Sequence, residues 1–254
     1  GTHGKTTTTS MLSHILLKGE CDPTISVGGI LPAIGGNIRV GQSETFLTEA
    51  CEYTNSFLSF FPTLGIILNM DADHLDFFKD IDDIRHSFRK FAELLPADGA
   101  LIINADTPKY EMVAENLPCK VITYGLEHDA EYSASDITYD EFGHPTFHVL
   151  HNGADIGICS LKVPGIHNVS NALSSIAAGR LLGLDNEVIF AGLKDFGGTD
   201  RRFQYKGKVG EVTIIDDYAH HPTEIEATLH AANNYPHKKI WCVFQPHTYT
   251  RTKA

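Results

Sequence analysis

Basic residues are scarce in this sequence. The 254 residues contain 20 lysines and arginines against 32 aspartates and glutamates, which gives a formal net charge of -12 at pH 7. This balance argues against broad binding to nucleic acid or to an anionic membrane surface, because both need clustered positive charge. A small anionic ligand is compatible with it, since a local basic pocket can hold phosphate groups inside an acidic protein.

Paired cysteines and long apolar runs are also missing. The five cysteines lie far apart and form no CxxC pair, which argues against a zinc knuckle or a disulfide framework. No apolar run approaches the roughly 18 residues of a membrane-spanning helix, and no signal-peptide pattern is present. We therefore expect a cytoplasmic protein without membrane insertion, whose 42% hydrophobic residues suffice for one or two domains.

Strand and helix patterns alternate along the first half of the chain. The predicted elements are strands at 44–50, 65–69, 100–104 and 119–124, and helices after the first residues and at about 80–95 and 107–117. This alternation predicts an α/β fold in which a mainly parallel sheet is flanked by helices. Residues 131–163 change to short alternating runs, which predict a small antiparallel meander.

A glycine-rich joint, "DFGGTDRRF", follows two further predicted helices that end near residues 183 and 194. Beyond the joint, the pattern predicts a strand, a loop, a helix and a last strand in "KKIWCVFQPH". These elements are too few to close a core. We therefore predict a P-loop central domain at 1–199, truncated at its N-terminal strand, and a partial Rossmann-like α/β domain at 200–254.

The opening stretch, "GTHGKTTTT", contains the GK[ST] end of a phosphate loop. Gly4 lets backbone amides approach phosphate oxygens, Lys5 supplies positive charge, and a hydroxyl of Thr6 or Thr7 can ligate magnesium. The helix that begins there adds its dipole. A Gly/Thr-rich turn that caps an ordinary helix is the alternative.

Acidic residues and a histidine follow two predicted strands. Glu49 closes one strand in "LTEACEYTNSF", and "NMDADHLD" with His74 follows the 65–69 strand. Ligands collect beyond the carboxyl ends of parallel strands, where a carboxylate can complete a magnesium site and His74 can bind a divalent cation. A solvated, helix-capping acidic loop is the alternative.

The later motifs offer nucleotide and substrate contacts. In "GIHNVSNA", His167 and Asn171 share one face of a first helical turn, and an asparagine amide can pair with an adenine edge. Arg202 at the joint can reach a phosphoryl group. The loop "DDYAHHPTEI" carries adjacent histidines, which point apart in a strand or loop and argue against a zinc site built from both. Capping and surface ion pairs are the commoner roles of such residues.

Taken in order, seven motifs resemble the Mur ligase family over the whole chain. They are "GTHGKTTTT", "EACEYTNSF", "NMDADHLD", "GIHNVSNA", "FGGTDRRF", "DDYAHHPTEI" and "FQPHTYTRT". Each motif alone is weak, but their order is specific, and the last two favour the alanine-adding branch of the family. The resemblance implies a ligase that uses ATP and Mg²⁺ to activate the carboxylate of UDP-N-acetylmuramate as an acyl phosphate, which the amine of L-alanine then attacks.

The resemblance also implies roles for individual residues. The implied catalytic residues are Lys5, His74 and Arg202. The implied nucleotide contacts are Gly4, Lys5, Thr6, Thr7, His167, Asn171, Arg202 and Asp217. The implied magnesium ligands are Thr6, Glu49 and His74. The implied lining of the amino-acid and muramyl side is Tyr218, His220, His247 and Arg251. No role is assigned to His3.

Two departures from the family pattern bear on these roles. Phe88 stands near the place where some relatives carry a carbamylated lysine, so no such lysine is expected. Thr248 stands where many members of the alanine-adding branch have arginine, so one anion contact is lost or supplied elsewhere. The family has three domains, of which this chain is expected to hold the second and the start of the third; we expect little or no activity from it alone.

Other functions stay open at this point. Within enzymes, the alternatives are a ligase that adds another amino acid, a murein-peptide-recycling ligase, or a folylpolyglutamate synthase-like enzyme. A P-loop nucleotide switch is a different class, and it is disfavoured because no DxxG-type switch segment closely follows the phosphate loop. An ATP-independent metallohydrolase that uses His74, His220 and His221 would bind zinc tightly.

Overall fold

The computed structural model describes residues 1–246. The helices are α1 (Lys5–Lys18), α2 (Ile81–Ala92), α3 (Glu111–Ala114), α4 (Ile166–Leu181), α5 (Asn186–Asp195) and α6 (Pro222–Asn233). The strands are β1 (Thr24–Leu31), β2 (Gly36–Arg39), β3 (Phe46–Thr48), β4 (Leu64–Ile67), β5 (Ala100–Asn104), β6 (Lys120–Tyr124), β7 (Tyr132–Tyr139), β8 (Pro145–His151), β9 (Ala154–Ser160), β10 (Gln204–Val209) and β11 (Val212–Asp216). A short 3-10 segment covers Tyr53–Ser59.

The largest sheet has the strand order β4-β5-β6-β7-β8-β9. Strands β4, β5 and β6 are parallel, whereas β7, β8 and β9 form an antiparallel meander. One residue pair, Tyr124 with Tyr132, joins β6 to β7 and makes the two parts continuous. The predicted α/β fold with parallel strands and a meander is confirmed.

Strand β5 shows why this sheet is buried on both faces. Its first four residues, "ALII" at 100–103, form a continuous apolar run, as is typical of strands between two helical layers. Ile102 belongs to the core under α1 and α4, whereas Leu101 and Ile103 belong to the core under α2. Side chains alternate between faces along a strand, so this one run supplies both cores.

The predicted strand at 44–50 is found as β3, but in another sheet. Strands β2, β1 and β3 form a separate three-stranded sheet, in which β1 and β3 are parallel. The pattern of the sequence did not predict β1, because Gly28 and Gly29 interrupt its apolar run. The prediction that 44–50 belongs to the main parallel sheet is therefore wrong.

Two further predictions differ from the structure. The helix predicted at 107–117 is reduced to α3, because Lys109 and Asn116 on either side of it adopt left-handed backbone conformations with φ of 62° and 54°. The predicted last strand is not formed by its described residues 238–246. Within the described part of the chain, β11 pairs with β10 alone, so nothing there extends that sheet.

No helix among residues 1–246 is both long enough and apolar enough to cross a lipid bilayer. Between α5 and β10, the chain passes through the glycine-rich joint at residues 196–203. The division into domains at residues 199 and 200 stays a prediction.

Candidate functional site

The phosphate loop is shaped by Gly4, the residue before α1. Gly4 has a left-handed backbone with φ of 82°, and a Cβ atom there would lie 2.7 Å from the Asn171 Oδ1 atom. A side chain is thus excluded both by backbone conformation and by space. Because Gly4 has no capping side chain and the first turn of α1 has no acidic residue, the amides of that turn are available to an anion.

Lys5 folds back over the loop that precedes it. Its Nζ atom donates to the carbonyl oxygens of Gly1 at 2.8 Å and Thr2 at 3.0 Å. It also lies 3.1 and 3.0 Å from the two carboxylate oxygens of Glu52, a residue that is 2% exposed. The ammonium group is therefore held at the loop by a buried carboxylate, which the sequence analysis did not identify.

Thr6 and Glu49, two of the predicted magnesium ligands, meet beside the loop, whereas magnesium binding there stays a prediction. The Thr6 hydroxyl donates to Glu49 Oε2 at 3.2 Å, and the backbone amide of Gly28 donates to Glu49 Oε1 at 2.6 Å. A Cβ atom at Gly28 would lie 2.8 Å from Glu49 Oε2, so only glycine lets the carboxylate come this close. The analysis of the sequence missed Gly28; its signal was a Gly-Gly pair inside a strand.

This donor set fits Mg²⁺. Magnesium binds oxygen ligands at 2.0–2.1 Å in octahedral geometry, so neighbouring ligand oxygens lie about 3 Å apart. The Thr6 and Glu49 oxygens, 3.2 Å apart, match that spacing. The arrangement holds two hard oxygen donors next to the open end of α1.

His74 lies in the loop after β4 with a left-handed backbone, φ 54°. Its Nε2 atom is 3.7 Å from a carboxylate oxygen of Asp73, and its ring lies 4.5 Å from the ring of Tyr53. Tyr53 directly follows Glu52, so this contact connects the loop of His74 to the segment that holds Lys5. Among residues 1–246, the contacts of His74 and those of Glu49 share no residue, and a metal bound by His74 stays a prediction.

Helix α4 brings Asn171 against the phosphate loop. The Oδ1 atom of Asn171 faces Gly4, while its Nδ2 atom donates to Asn168 Oδ1 at 3.2 Å. Asn171 is buried, whereas His167, one turn earlier, is exposed. Thr7 lies in the first turn of α1, half-buried. Adenine contacts by Asn171 and His167 stay predictions.

Helix α6 reaches the phosphate loop through Glu224. This carboxylate lies 3.3 Å from His3 Nδ1, and 3.8 Å from the Arg202 guanidinium. Burial raises the pKa of Glu224, but the contacts with His3 and Arg202 outweigh it and lower that pKa to about 2. Through its contact with Glu224, Arg202 lies near His3 of the phosphate loop. Arg202 also lines a cavity of about 320 Å³ at the joint. Glu224 was part of a quoted motif but was not singled out.

The remaining predicted residues lie on the C-terminal side of the joint. Asp217 accepts hydrogen bonds from the amides of Phe203 at 2.8 Å and Ala219 at 2.7 Å, so both its carboxylate oxygens fix the loop. Tyr218 and His220 have their rings 5.2 Å apart, edge to face. His247 and Arg251 lie outside the described residues, as does Thr248.

Two family descriptions match the chain. The "Mur ligase middle domain" matches residues 1–179, and the "Mur ligase, glutamate ligase domain" matches residues 201–254. Among solved structures, a UDP-N-acetylmuramate–alanine ligase of Thermotoga maritima is 32% identical with a TM-score of 0.80, covering 92% of this chain and 53% of that one. A murein peptide ligase of Psychrobacter arcticus is 29% identical with a TM-score of 0.74, covering 92% and 53%.

Curated relatives are closer in sequence. A UDP-N-acetylmuramate–L-alanine ligase of Lachnospira eligens is 62% identical over all 254 residues, which make up 55% of that protein. One of Caldanaerobacter subterraneus is 55% identical over the same span and the same share of its length. This chain therefore spans about half the length of the curated relatives it matches. Since the middle-domain match alone covers residues 1–179, the chain belongs to the Mur ligase family.

Proposed function

We propose that this chain is the ATP-binding part of a ligase that joins L-alanine to the lactyl carboxylate of UDP-N-acetylmuramate. ATP is converted to ADP and phosphate through an acyl-phosphate intermediate, and the product serves peptidoglycan synthesis. The observation that carries the proposal is the contact of Thr6 with Glu49 at the open end of α1, where Lys5 folds back over the phosphate loop. The names of the relatives supply the substrates.

Catalysis in such a reaction is largely electrostatic, because a carboxylate must attack a negatively charged phosphoryl group. The first-turn amides of α1 and the Lys5 ammonium group face the phosphates and offset their charge. Gly4 allows the backbone to approach them. To contact a phosphate, Lys5 gives up part of its contact with Glu52.

Thr6 and Glu49 would hold Mg²⁺ by hydroxyl and carboxylate oxygens, and His74 would hold a second ion. Bound Mg²⁺ would act as a Lewis acid that neutralises developing charge on the phosphoryl oxygens. The Gly28 amide orients Glu49 and Tyr53 packs against His74, and these contacts would help to position the two ions.

The part of the chain from residue 200 onward, the C-terminal unit, would close the site. Arg202 would contact the γ-phosphate from the joint and Asp217 the ribose, while Asn171 and His167 would read the adenine. Tyr218, His220, His247 and Arg251 would line the amino-acid and muramyl side. In this proposal the central domain covers 1–199, the C-terminal domain begins at residue 200, and the enzyme acts in the cytoplasm.

The experiment is ADP formation by a protein of the relatives' full length that contains these 254 residues. UDP-N-acetylmuramate is supplied with a panel of amino acids and with the tripeptide L-alanyl-γ-D-glutamyl-meso-diaminopimelate. We expect turnover that depends on both the muramyl substrate and L-alanine. Turnover of UDP-N-acetylmuramate with the tripeptide but not with L-alanine would assign the chain to the peptide-recycling branch. Turnover without any muramyl substrate would overturn the proposal.

Two substitutions separate the roles within the site. Glu49→Gln should lower the rate about 100-fold or more, since loss of a metal ligand costs on the order of 3 kcal/mol of transition-state stabilisation. Glu44→Gln, an exposed glutamate just before β3, is the matched control and should keep the rate. His74→Ala should abolish acyl-phosphate formation, trapped by borohydride reduction, while calorimetry still detects ATP binding. Loss of ATP binding would give His74 a structural role instead.

A further inference from the structure

We propose that His3, Asp71 and His221 form a binding site for a transition-metal dication such as Zn²⁺, which ties α6 to the phosphate loop. One ligand atom from each residue lies within 4.8 Å of the other two. His3 and Asp71 lie in the central unit, residues 1–199, and both precede the joint. His221 is the residue before α6, so the site spans the joint. It is separate from the oxygen donors of Thr6 and Glu49.

The distances suit a four-coordinate ion. Zinc binds imidazole nitrogen and carboxylate oxygen at about 2.0–2.2 Å, so ligand atoms on a tetrahedron lie about 3.3 Å apart. His3 Nε2 is 3.2 Å from Asp71 Oδ2, and His221 Nδ1 is 4.0 Å from the same oxygen. The first distance already fits, and the second needs a shift of about 0.7 Å. The ligand atoms of His3 and His221 lie within 4.8 Å of each other and would also have to approach.

The His3 ring lies between two carboxylates, a negatively charged environment that favours a cation. Its Nδ1 faces Glu224 at 3.3 Å and its Nε2 faces Asp71 at 3.2 Å, so each ring nitrogen meets a carboxylate oxygen. A neutral imidazole carries only one N–H, and its other nitrogen then turns a lone pair toward an acceptor. A metal ion between Nε2 and the Asp71 carboxylate would give that lone pair a partner.

His221 supplies a lone pair on the same side. The backbone amide of Thr223 donates to His221 Nδ1 at 3.3 Å, which requires that nitrogen to be unprotonated. The other nitrogen, Nε2, lies 3.4 Å from the carbonyl oxygen of Ala72 and can donate to it. Nδ1 faces Asp71 and His3, whose ring centroid lies 4.7 Å from that of His221, and a bound ion would take its single lone pair in place of the Thr223 amide.

The outer contacts match those of metal-binding histidines. Such histidines usually donate their second N–H to a carboxylate or carbonyl group, which fixes ring and tautomer. Glu224 fills this place for His3 and Ala72 for His221. The backbone amide of Ala72 orients Asp71 Oδ1, and the Thr223 hydroxyl donates to Oδ2. Two imidazoles with one carboxylate favour Zn²⁺ over Mg²⁺, which prefers oxygen alone.

Metal binding tests the site directly and does not depend on ligase activity. The full-length protein is titrated with Co²⁺, whose visible absorption reports tetrahedral coordination, and Zn²⁺ is used to displace it. Excess Mg²⁺ keeps the oxygen donors of Thr6 and Glu49 occupied. We expect one ion per chain that persists in His74→Ala, the variant that removes the other histidine proposed to hold a metal. Glu224→Gln should weaken binding about 10-fold, and His3→Ala or His221→Ala should weaken it more.

His230→Ala is the matched control, because His230 lies on α6 with a side chain that is 74% exposed and pairs only with its neighbour Glu226 among the described residues. It should bind as the wild type does. The two ligand variants lie on opposite sides of the joint, so one of them can decide if the other fails to fold. Equal binding by His221→Ala and the wild type would overturn the proposal. So would a doubly protonated His3 ring at pH 7 together with no metal binding, read by ¹⁵N NMR.

Discussion

The two sides of the joint are held in different ways. Residues 1–199 enclose two clusters of buried apolar side chains, one on each face of the large sheet. In the described part of the C-terminal unit, residues 200–246, Ala231 alone is a buried hydrophobic residue, whereas Trp241 is 79% exposed and Val243 97%. The described residues of the central unit thus surround apolar cores of their own, whereas residues 200–246 contain almost no buried apolar side chain.

Polar contacts attach the C-terminal segment to the central unit. Glu224 meets His3 at 3.3 Å, and the Thr223 hydroxyl donates to Asp71 at 2.9 Å. Each such contact contributes about 1 kcal/mol, far less than a core. An attachment of this kind can break and form again while the central unit stays folded, which suits a site that must admit and release a nucleotide.

The largest effect should follow from opening a cavity in the central core. Phe147, which is 0% exposed, packs in the cluster under α1 and α4. Phe147→Ala should lower the free energy of unfolding by about 3–5 kcal/mol, because it removes buried area and leaves a void. Phe244→Ala, at a position 47% exposed, should change it by about 0.5 kcal/mol or less. Denaturant unfolding followed by circular dichroism measures both; similar losses would contradict the difference between the units.

A polar anchor inside the central unit should give the next effect. Asp106 accepts the backbone amides of Leu126 at 2.6 Å, Glu127 at 3.1 Å and His128 at 2.9 Å. Burial raises the pKa of Asp106, but these donors outweigh it and hold the pKa below its usual value. Asp106→Asn should cost about 1.5–3 kcal/mol at pH 7.

The pH dependence of unfolding checks this anchor. Because the folded pKa lies below the unfolded value of about 3.9, the contribution of Asp106 is full above that value and is lost as pH falls through the folded pKa. The wild type and Asp106→Asn should therefore approach each other in stability at acidic pH. A difference that is constant from pH 7 to pH 3 would show that the charge of Asp106 is not the cause.

The smallest effect is expected at the attachment itself. Thr223→Val removes the donor to Asp71 and should favour release of α6 by about 0.5–1.5 kcal/mol, without changing global unfolding. Faster amide hydrogen exchange confined to residues 222–233 would show it. Thr228→Val, on the same helix, is the control. If Thr223→Val also speeds amide exchange in α1 or α4, the two units open together.

The fold was more predictable than the site. Strand β5 matched its predicted bounds, because a run of four apolar residues buried on both faces leaves a strong signal. Strand β1 was missed, since Gly28 serves the approach of Glu49 and weakens the strand pattern. Side-chain partners were missed for another reason: Lys5 and Glu52 are 47 residues apart and His3 and Glu224 are 221 apart, and no local pattern reports such contacts.

The pairing of Lys5 with Glu52 has a consequence for selectivity. A ligand at the loop does not meet a free cation; it competes with a carboxylate that is already in place. The affinity of the ligand therefore reflects the difference between the contact of Lys5 with the ligand and its contact with Glu52. A ligand with a single weak negative charge gains little from the exchange, whereas a polyphosphate gains at several donors together. Glu52 thus disfavours the binding of ligands with little negative charge, since these cannot replace its contact with Lys5.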